Sequence, residues 1–195
     1  MLLKEAREEA DARLVESSLR GDPGAFDELV RRYKDRVYSV IYRFVGNHED
    51  AMDLAQEVFV RAYQGLHAYR GHSQVYTWLY SIAANLSRNR LRDRTRKGRS
   101  HSTSLEALEE AGGGMAAAGA GPREAAAKRE LEAALEDCLA DLPELYRFAF
   151  CLKTFDGMGY EEIALTVGCP PGTVKSRLNE ARKRLHACLH GKGVV

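Results

Sequence analysis

Between Arg88 and Arg99 the chain reads RNRLRDRTRKGR, in which Arg88, Arg90, Arg92, Arg94, Arg96, Lys97 and Arg99 face a single acid, Asp93. A second run, GTVKSRLNEARKRLHACLH, sets Lys175, Arg177, Arg182, Lys183 and Arg184 against Glu180. Cations at this density suit the phosphates of a nucleic acid and gain affinity by releasing counterions. A solvated helix face or a complemented helix C-terminus would use the same residue types. Two such runs, each ending a separate helical stretch, favour the polyanion. Thr173, Lys175, Ser176, Arg177 and Asn179 bring side chains able to meet base edges, and Pro170-Pro171-Gly172 leaves a narrow helix entrance that a phosphate could approach. Ahead of the first run stand Tyr69, Tyr76, Trp78 and Tyr80, among Ser73, Gln74, Thr77 and Asn85. Aromatics beside cations stack on unpaired bases. Trp78 shares an apolar stripe with Leu79 and Ile82 and reads as core. Tyr76 and Tyr80 read as partly exposed, and Asn85 as facing nucleic acid.

Catalytic chemistry has no such support. The sequence holds no Ser/His/Asp set, no P-loop and no HExxH, so it does not read as an enzyme, and no cofactor is expected. His186, Cys188 and His190 crowd one end at spacing two, which on a helix turns neighbours about 200° apart and serves one metal poorly. Cys138, Cys151, Cys169 and Cys188 include no CxxC pair. They read as small apolar side chains, although Cys151 and Cys169 would make a redox pair if the fold brings them together.

The elements that position these residues are helical. After Asp22-Pro23, apolar residues recur at Phe26, Leu29, Val30, Tyr33, Val37, Val40, Ile41 and Phe44, one face of a long helix. Gly46-Asn47 ends it. Asn47 caps a helix burying Ala51, Leu54, Ala55, Val58, Phe59, Ala62, Tyr63 and Leu66. A further helix, with Ser73 as its expected cap, carries Val75, Trp78, Leu79, Ile82, Ala83, Leu86 and Leu91. Later signals cover 124–141, 143–155, 160–167 and 171–189. The last two, separated around Gly168, have the form of a helix-turn-helix. No period-two run of β-branched residues marks a strand.

Three segments are expected: 1–96, 97–128 and 129–195. The middle one holds Gly112-Gly113-Gly114 and Ala/Gly repeats with few large apolar side chains, and reads as a flexible linker with a short helix near Leu105. Across 195 residues, 29 Lys+Arg balance 28 Asp+Glu, so the nucleic-acid argument rests on local charge alone. No window is long and apolar enough for a membrane span, the N-terminal stretch does not read as a signal peptide, and the expected compartment is the cytoplasm.

The segment DLAQEVFVRAYQGLHAYRGHSQVYTWLYSIAANLSRNRLR (53–92) resembles region 2 of bacterial sigma factors. LPELYRFAFCLKTFDGMGYEEIALTVGCPPGTVKSRLNEARKRL (142–185) resembles region 4. The pair without a region 3 resembles the extracytoplasmic-function group of the sigma-70 family. That resemblance implies an all-α protein of two small helical domains that directs promoter recognition, melting and transcription initiation at a specific regulon. Implied partners are core RNA polymerase (its β′ clamp helices and β flap), promoter DNA and an anti-sigma factor. Asp53, Gln56 and Glu57 match the clamp-docking positions. Tyr69, Arg70, Ser73, Tyr76, Tyr80, Asn85, Arg88 and Arg92 match the part that reads the melted −10 element. Thr173, Lys175, Ser176, Arg177, Asn179, Arg182 and Lys183 match the −35 reader. Asn179 and Glu180 depart from the more basic or aromatic residues common there, and His72 from an acid. Read from its residues alone, the segment 129–190 would also suit a stand-alone regulator dimerising on a palindrome.

Overall fold

The structure, a computed structural model, describes residues 2–71, 73–96 and 122–194. Helix α1 spans Leu2–Leu19. Asp22 then caps α2 (Pro23–Val45), its carboxylate accepting from the Gly24 amide at 2.9 Å. Pro23 takes the first turn, where a missing N–H costs nothing. Helix α2 stops at Gly46, whose φ of 67° is left-handed and disfavours any side chain. Asn47 caps α3 (His48–Gly65) by accepting from the Asp50 amide at 2.9 Å. A 3-10 turn, Leu66–Ala68, leads through a loop to α4 (Val75–Arg96). The helix opens two residues after Ser73, the cap that the sequence suggests.

The second half holds α5 (Pro122–Ala140), α6 (Glu144–Thr154), α7 (Tyr160–Val167) and α8 (Pro171–Gly191). Helix α7 has the bounds the sequence predicts. Helix α5 begins inside the segment read as linker. The expected short helix near Leu105 and the Gly112–Gly114 run lie outside the described residues. All the regular structure among the described residues is helical, as the sequence predicts.

Helices α2, α3 and α4 form a bundle, with α1 laid along α2. Asp11 of α1 is buried and held by Arg32 at 3.0 Å and by the Tyr33 hydroxyl. The two halves are not separately packed. One apolar core runs from Phe26, Val37 and Phe44 through Leu79, Tyr80 and Ala84 to Phe148, Leu152, Ile163 and Leu178. Phe44 meets Phe148 edge-on, ring centroids 4.8 Å apart. In this structure the two helical halves therefore also pack directly against each other. The physical reason is that α2 and α4 are apolar on a second side, which three helices cannot cover and which α6 and α7 bury. A smaller cluster of Cys138, Leu139, Leu142, Ala181 and Leu185 holds α5 to α8.

Cysteines depart from expectation. Cys138 and Cys188 are disulfide-bonded across α5 and α8, so neither acts as a separate small apolar side chain. Cys151 and Cys169 are free. Cys151 is fully buried, and desolvation pushes its thiol up to about 12, which keeps it protonated and unreactive.

Candidate nucleic-acid interface

Helix α8 starts at Pro171 after a left-handed Gly168 (φ 67°), and packs on α7 through the buried Ile163, Ala164, Val174 and Leu178. Lys175, Ser176, Asn179, Arg182 and Lys183 are exposed. Their spacing of one, three and four places them along one outer side of the helix. Thr173 and Arg177 are half-buried. The Ser176 hydroxyl donates to the Thr173 carbonyl at 2.9 Å, and Arg177 turns back to the Cys169 sulfur at 3.4 Å. Arg184 pairs with Glu180 at 2.7 Å and lies over the Tyr146 ring. Those contacts remove Arg177 and Arg184 from the freest part of the row.

The first basic run divides into two sets. Arg90 and Arg94 both turn inward to Asp50 on the first turn of α3, Arg94 at 3.1 Å. They fasten α4 to α3. Asn85, Asn89, Arg92 and Arg96 are exposed and Arg88 is half-buried. The outward set at 85, 88 and 92 is the part of α4 open to a polyanion; Lys97 and Arg99 lie outside the described residues. Arg90 and Arg94 fall four apart, as do Arg88 and Arg92, so each pair shares a side of the helix, and the contacts to Asp50 show which pair turns inward.

The loop before α4 brings Tyr69, Ser73 and Gln74, and the first turn of α4 brings Tyr76, to a cavity of about 830 Å³. Tyr69 and Ser73 are half-buried, Arg70 is exposed, and His72 lies outside the described residues. The Tyr69 hydroxyl donates to the Ser73 carbonyl, and its ring stacks obliquely on Trp78 at 5.0 Å. Trp78 is half-buried against the core, as its apolar stripe implies. The cavity also receives Glu8, Asp11, Glu16, Asp156 and Glu162, with Arg36 the cation among the described residues that line it. Such walls repel phosphate and tolerate an uncharged base.

Tyr80 corrects the expectation of partial exposure. It is 0% exposed, and its hydroxyl donates to Asp156 on the α6–α7 connection at 2.6 Å. Tyr76 is half-buried, with its hydroxyl donating to Glu162 of α7. Burial raises the pKa of both phenols, and the facing carboxylates raise it further. Desolvation likewise holds Asp156 above the usual carboxylate range, against its bond from Tyr80 and the Arg36 guanidinium at 3.7 Å. The second half thus covers one side of α4 while the Asn85–Arg92 side stays open.

On α3, Asp53 and Gln56 are exposed and Glu57 is half-buried, accepting from Arg61 at 2.7 Å. Beside them Met52, Val60 and Tyr63 are exposed, Tyr63 at 58%. Tyr63 departs from the core position that its spacing predicts; its ring meets Phe26 edge-to-face, centroids 5.0 Å apart. An apolar strip beside acids suits a protein partner.

Residues 29–97 match the family model for sigma-70 region 2, and residues 132–185 match the one for sigma-70 region 4. The chain is 40% identical over 183 residues to the RNA polymerase sigma-H factor of Pseudomonas aeruginosa, covering 93% of this chain and 95% of that relative. The chain belongs to the extracytoplasmic-function sigma factors of the sigma-70 family. The ECF RNA polymerase sigma-E factor of Escherichia coli K12 is 39% identical to this sigma factor over 179 residues, 90% of this chain and 92% of the relative. The fold agrees with that of CnrH, solved in complex with the cytosolic domain of CnrY (TM-score 0.67, 23% identity, 93% of this chain and 98% of that one). It also agrees with the Bartonella quintana sigma factor RpoE, solved with the anti-sigma factor NepR (TM-score 0.65, 23% identity, 85% of this chain and 96% of that one). In this sigma factor, region 2 contains the outward row of α4 and the exposed strip of α3, and region 4 contains α7 and most of α8.

Proposed function

We propose that this sigma factor joins core RNA polymerase, opens promoter DNA at the −10 element through region 2 and reads the −35 duplex through region 4. The observation that carries this reading is the pair of solvent-facing rows, Asn85–Arg88–Arg92 on α4 and Lys175–Asn179–Arg182 on α8, one inside each sigma region. Tyr69, Arg70, Ser73 and Tyr76 complete the −10 set; buried Tyr80 supports it from within. Thr173, Ser176, Arg177 and Lys183 complete the −35 set. Asp53, Gln56 and Glu57, with Met52 and Val60, offer the polymerase an acidic and apolar strip. An anti-sigma factor is the further partner that family membership brings. Nucleotide addition belongs to the polymerase.

The two promoter elements lie about 25 base pairs apart, on the order of 85 Å at 3.4 Å per pair. A body of this chain length is roughly 40 Å across. Reading both at once therefore requires region 4 to leave α4 and α2, which frees Tyr76 from Glu162. The stand-alone regulator is disfavoured, because the core residues of 129–190 are shared with region 2.

Mixing the chain with core polymerase tests the proposal: co-elution and run-off transcription from a mapped promoter are expected. A dimer that shifts palindromic duplex without polymerase would overturn it. Lys175→Ala is expected to weaken binding to promoters bearing a −35 element by about 1–3 kcal/mol, measured on polymerase complexes. An unchanged −35 preference removes Lys175 from the base-reading set. Asn85→Ala is expected to reduce open-complex formation, followed by permanganate reactivity of melted thymines, by roughly 10-fold or more while leaving core binding intact. Equal loss of both would assign Asn85 to polymerase docking instead.

A further inference from the structure

A bonded cysteine pair is out of place in a chain that works beside RNA polymerase, where thiols are kept reduced and the disulfides that form are usually transient and redox-sensing. Cys138 sits on α5 and Cys188 on α8, fifty residues apart in sequence. Cys138 is 1% exposed, packed with Leu139, Leu142, Ala181 and Leu185, whereas Cys188 is half-buried on the outer side of that cluster. One sulfur is therefore sheltered and the other is approachable. The cluster around them is small, so the bond is a substantial part of what fastens α5 to α8; a further tie between these segments is Lys192 to Asp137 at 3.0 Å, on the surface. Helix α5 in turn faces α2: Glu136, Leu139 and Ala140 line a small cavity together with Tyr42, Arg43 and Gly46.

We propose that Cys138–Cys188 is a reversible thiol–disulfide exchange site, taking a dithiol as reductant and a disulfide as oxidant, whose state sets how firmly α5 is held to region 4. The proposal rests on the sigma-factor reading for its reducing surroundings. In the reducing direction, a thiolate of the dithiol attacks the Cys188 sulfur. The bond to Cys138 breaks, and Cys138 leaves as a thiolate and takes a proton from water. The second thiolate of the reductant then attacks its own sulfur in the mixed disulfide, and Cys188 leaves and is protonated. The dithiol ends as a disulfide, having supplied two electrons, and the protein ends with two thiols. Oxidation runs through the same mixed disulfide in reverse.

The full-length chain, purified without reductant, is incubated with dithiothreitol and then with oxidised glutathione. Cys138 and Cys188 are expected to resist iodoacetamide before reduction, and Cys188 to label ahead of Cys138 after it. The melting temperature is expected to fall by about 10 °C on reduction and to return on oxidation. Amide exchange in 129–140 should accelerate at least tenfold while α2 and α3 stay protected. Cys188→Ser should melt at the reduced temperature under both conditions, and Cys169→Ser should keep the shift. Should Cys188→Ser not fold, redox cycling of the unaltered chain decides alone. Free thiols at both positions that do not pair in oxidised glutathione would overturn the proposal. So would a melting temperature and α5 protection indifferent to reduction. Run-off transcription on the same samples separates the two readings: silence in both redox states counts against the sigma reading, while labelling and melting still decide the exchange site.

Discussion

Arg147→Ala is expected to cost about 3–5 kcal/mol of folding stability, read by urea unfolding or calorimetry. Arg147 is 5% exposed, and among the described residues its guanidinium bonds to backbone carbonyls, not to a carboxylate. Instead it donates to the Phe44 carbonyl at 2.8 Å, the Leu142 carbonyl at 2.9 Å and the Ala140 carbonyl. Phe44 and Ala140 lie in the last turns of α2 and α5, where helix carbonyls have no partner of their own. One side chain therefore closes two helix ends and ties region 4 to region 2. Burial lowers its pKa, because desolvation disfavours the charged guanidinium that those three bonds hold. Removing it strands buried acceptors at about 1–3 kcal/mol each, less what water recovers. Arg147→Lys, with one cationic centre in place of a fork, should recover only part of the loss. A loss below about 1 kcal/mol for the alanine variant would mean that the three carbonyls are readily hydrated and that the tie is unimportant.

The second large effect is expected from Phe148→Ala, at about 3–5 kcal/mol for a buried aromatic. Phe148 is 3% exposed and abuts Phe44 across the boundary between the two halves. Its diagnostic value lies in where the damage spreads. With one core running through both halves, the variant should still unfold in a single transition, and amides of α2 should lose protection along with those of α6. Two transitions, with the loss confined to α6–α8, would show that the two halves unfold independently.

Much of this architecture was legible in the residues, because much of it is local. Asp22-Pro23, Asn47, Gly46 and Gly168 begin or end helices through their own backbone and side-chain preferences, so their positions follow from sequence order. Apolar spacing located α6, α7 and α8 within two residues of their ends. Residues whose partners are distant were not legible. Tyr80 looks like an exposed aromatic until Asp156, 76 residues later, is placed over it. Arg147 looks like a surface cation until Phe44, 103 residues earlier, comes beneath it. Cys138 and Cys188 carry no spacing motif to announce their bond. Charge content was a poor guide for a related reason: composition counts Arg90 and Arg94 with Arg88 and Arg92, whereas only helical phase separates those that grip Asp50 from those that face outward.

The shared core bears on how such proteins can be recombined. A chimera taking α1–α4 from this chain and α5–α8 from a relative about 40% identical would join two faces shaped for different neighbours, Phe44 and Tyr80 on one side, Phe148 and Ile163 on the other. Promoter specificity should therefore be exchanged by grafting only the outward residues of α8, leaving the inward row native.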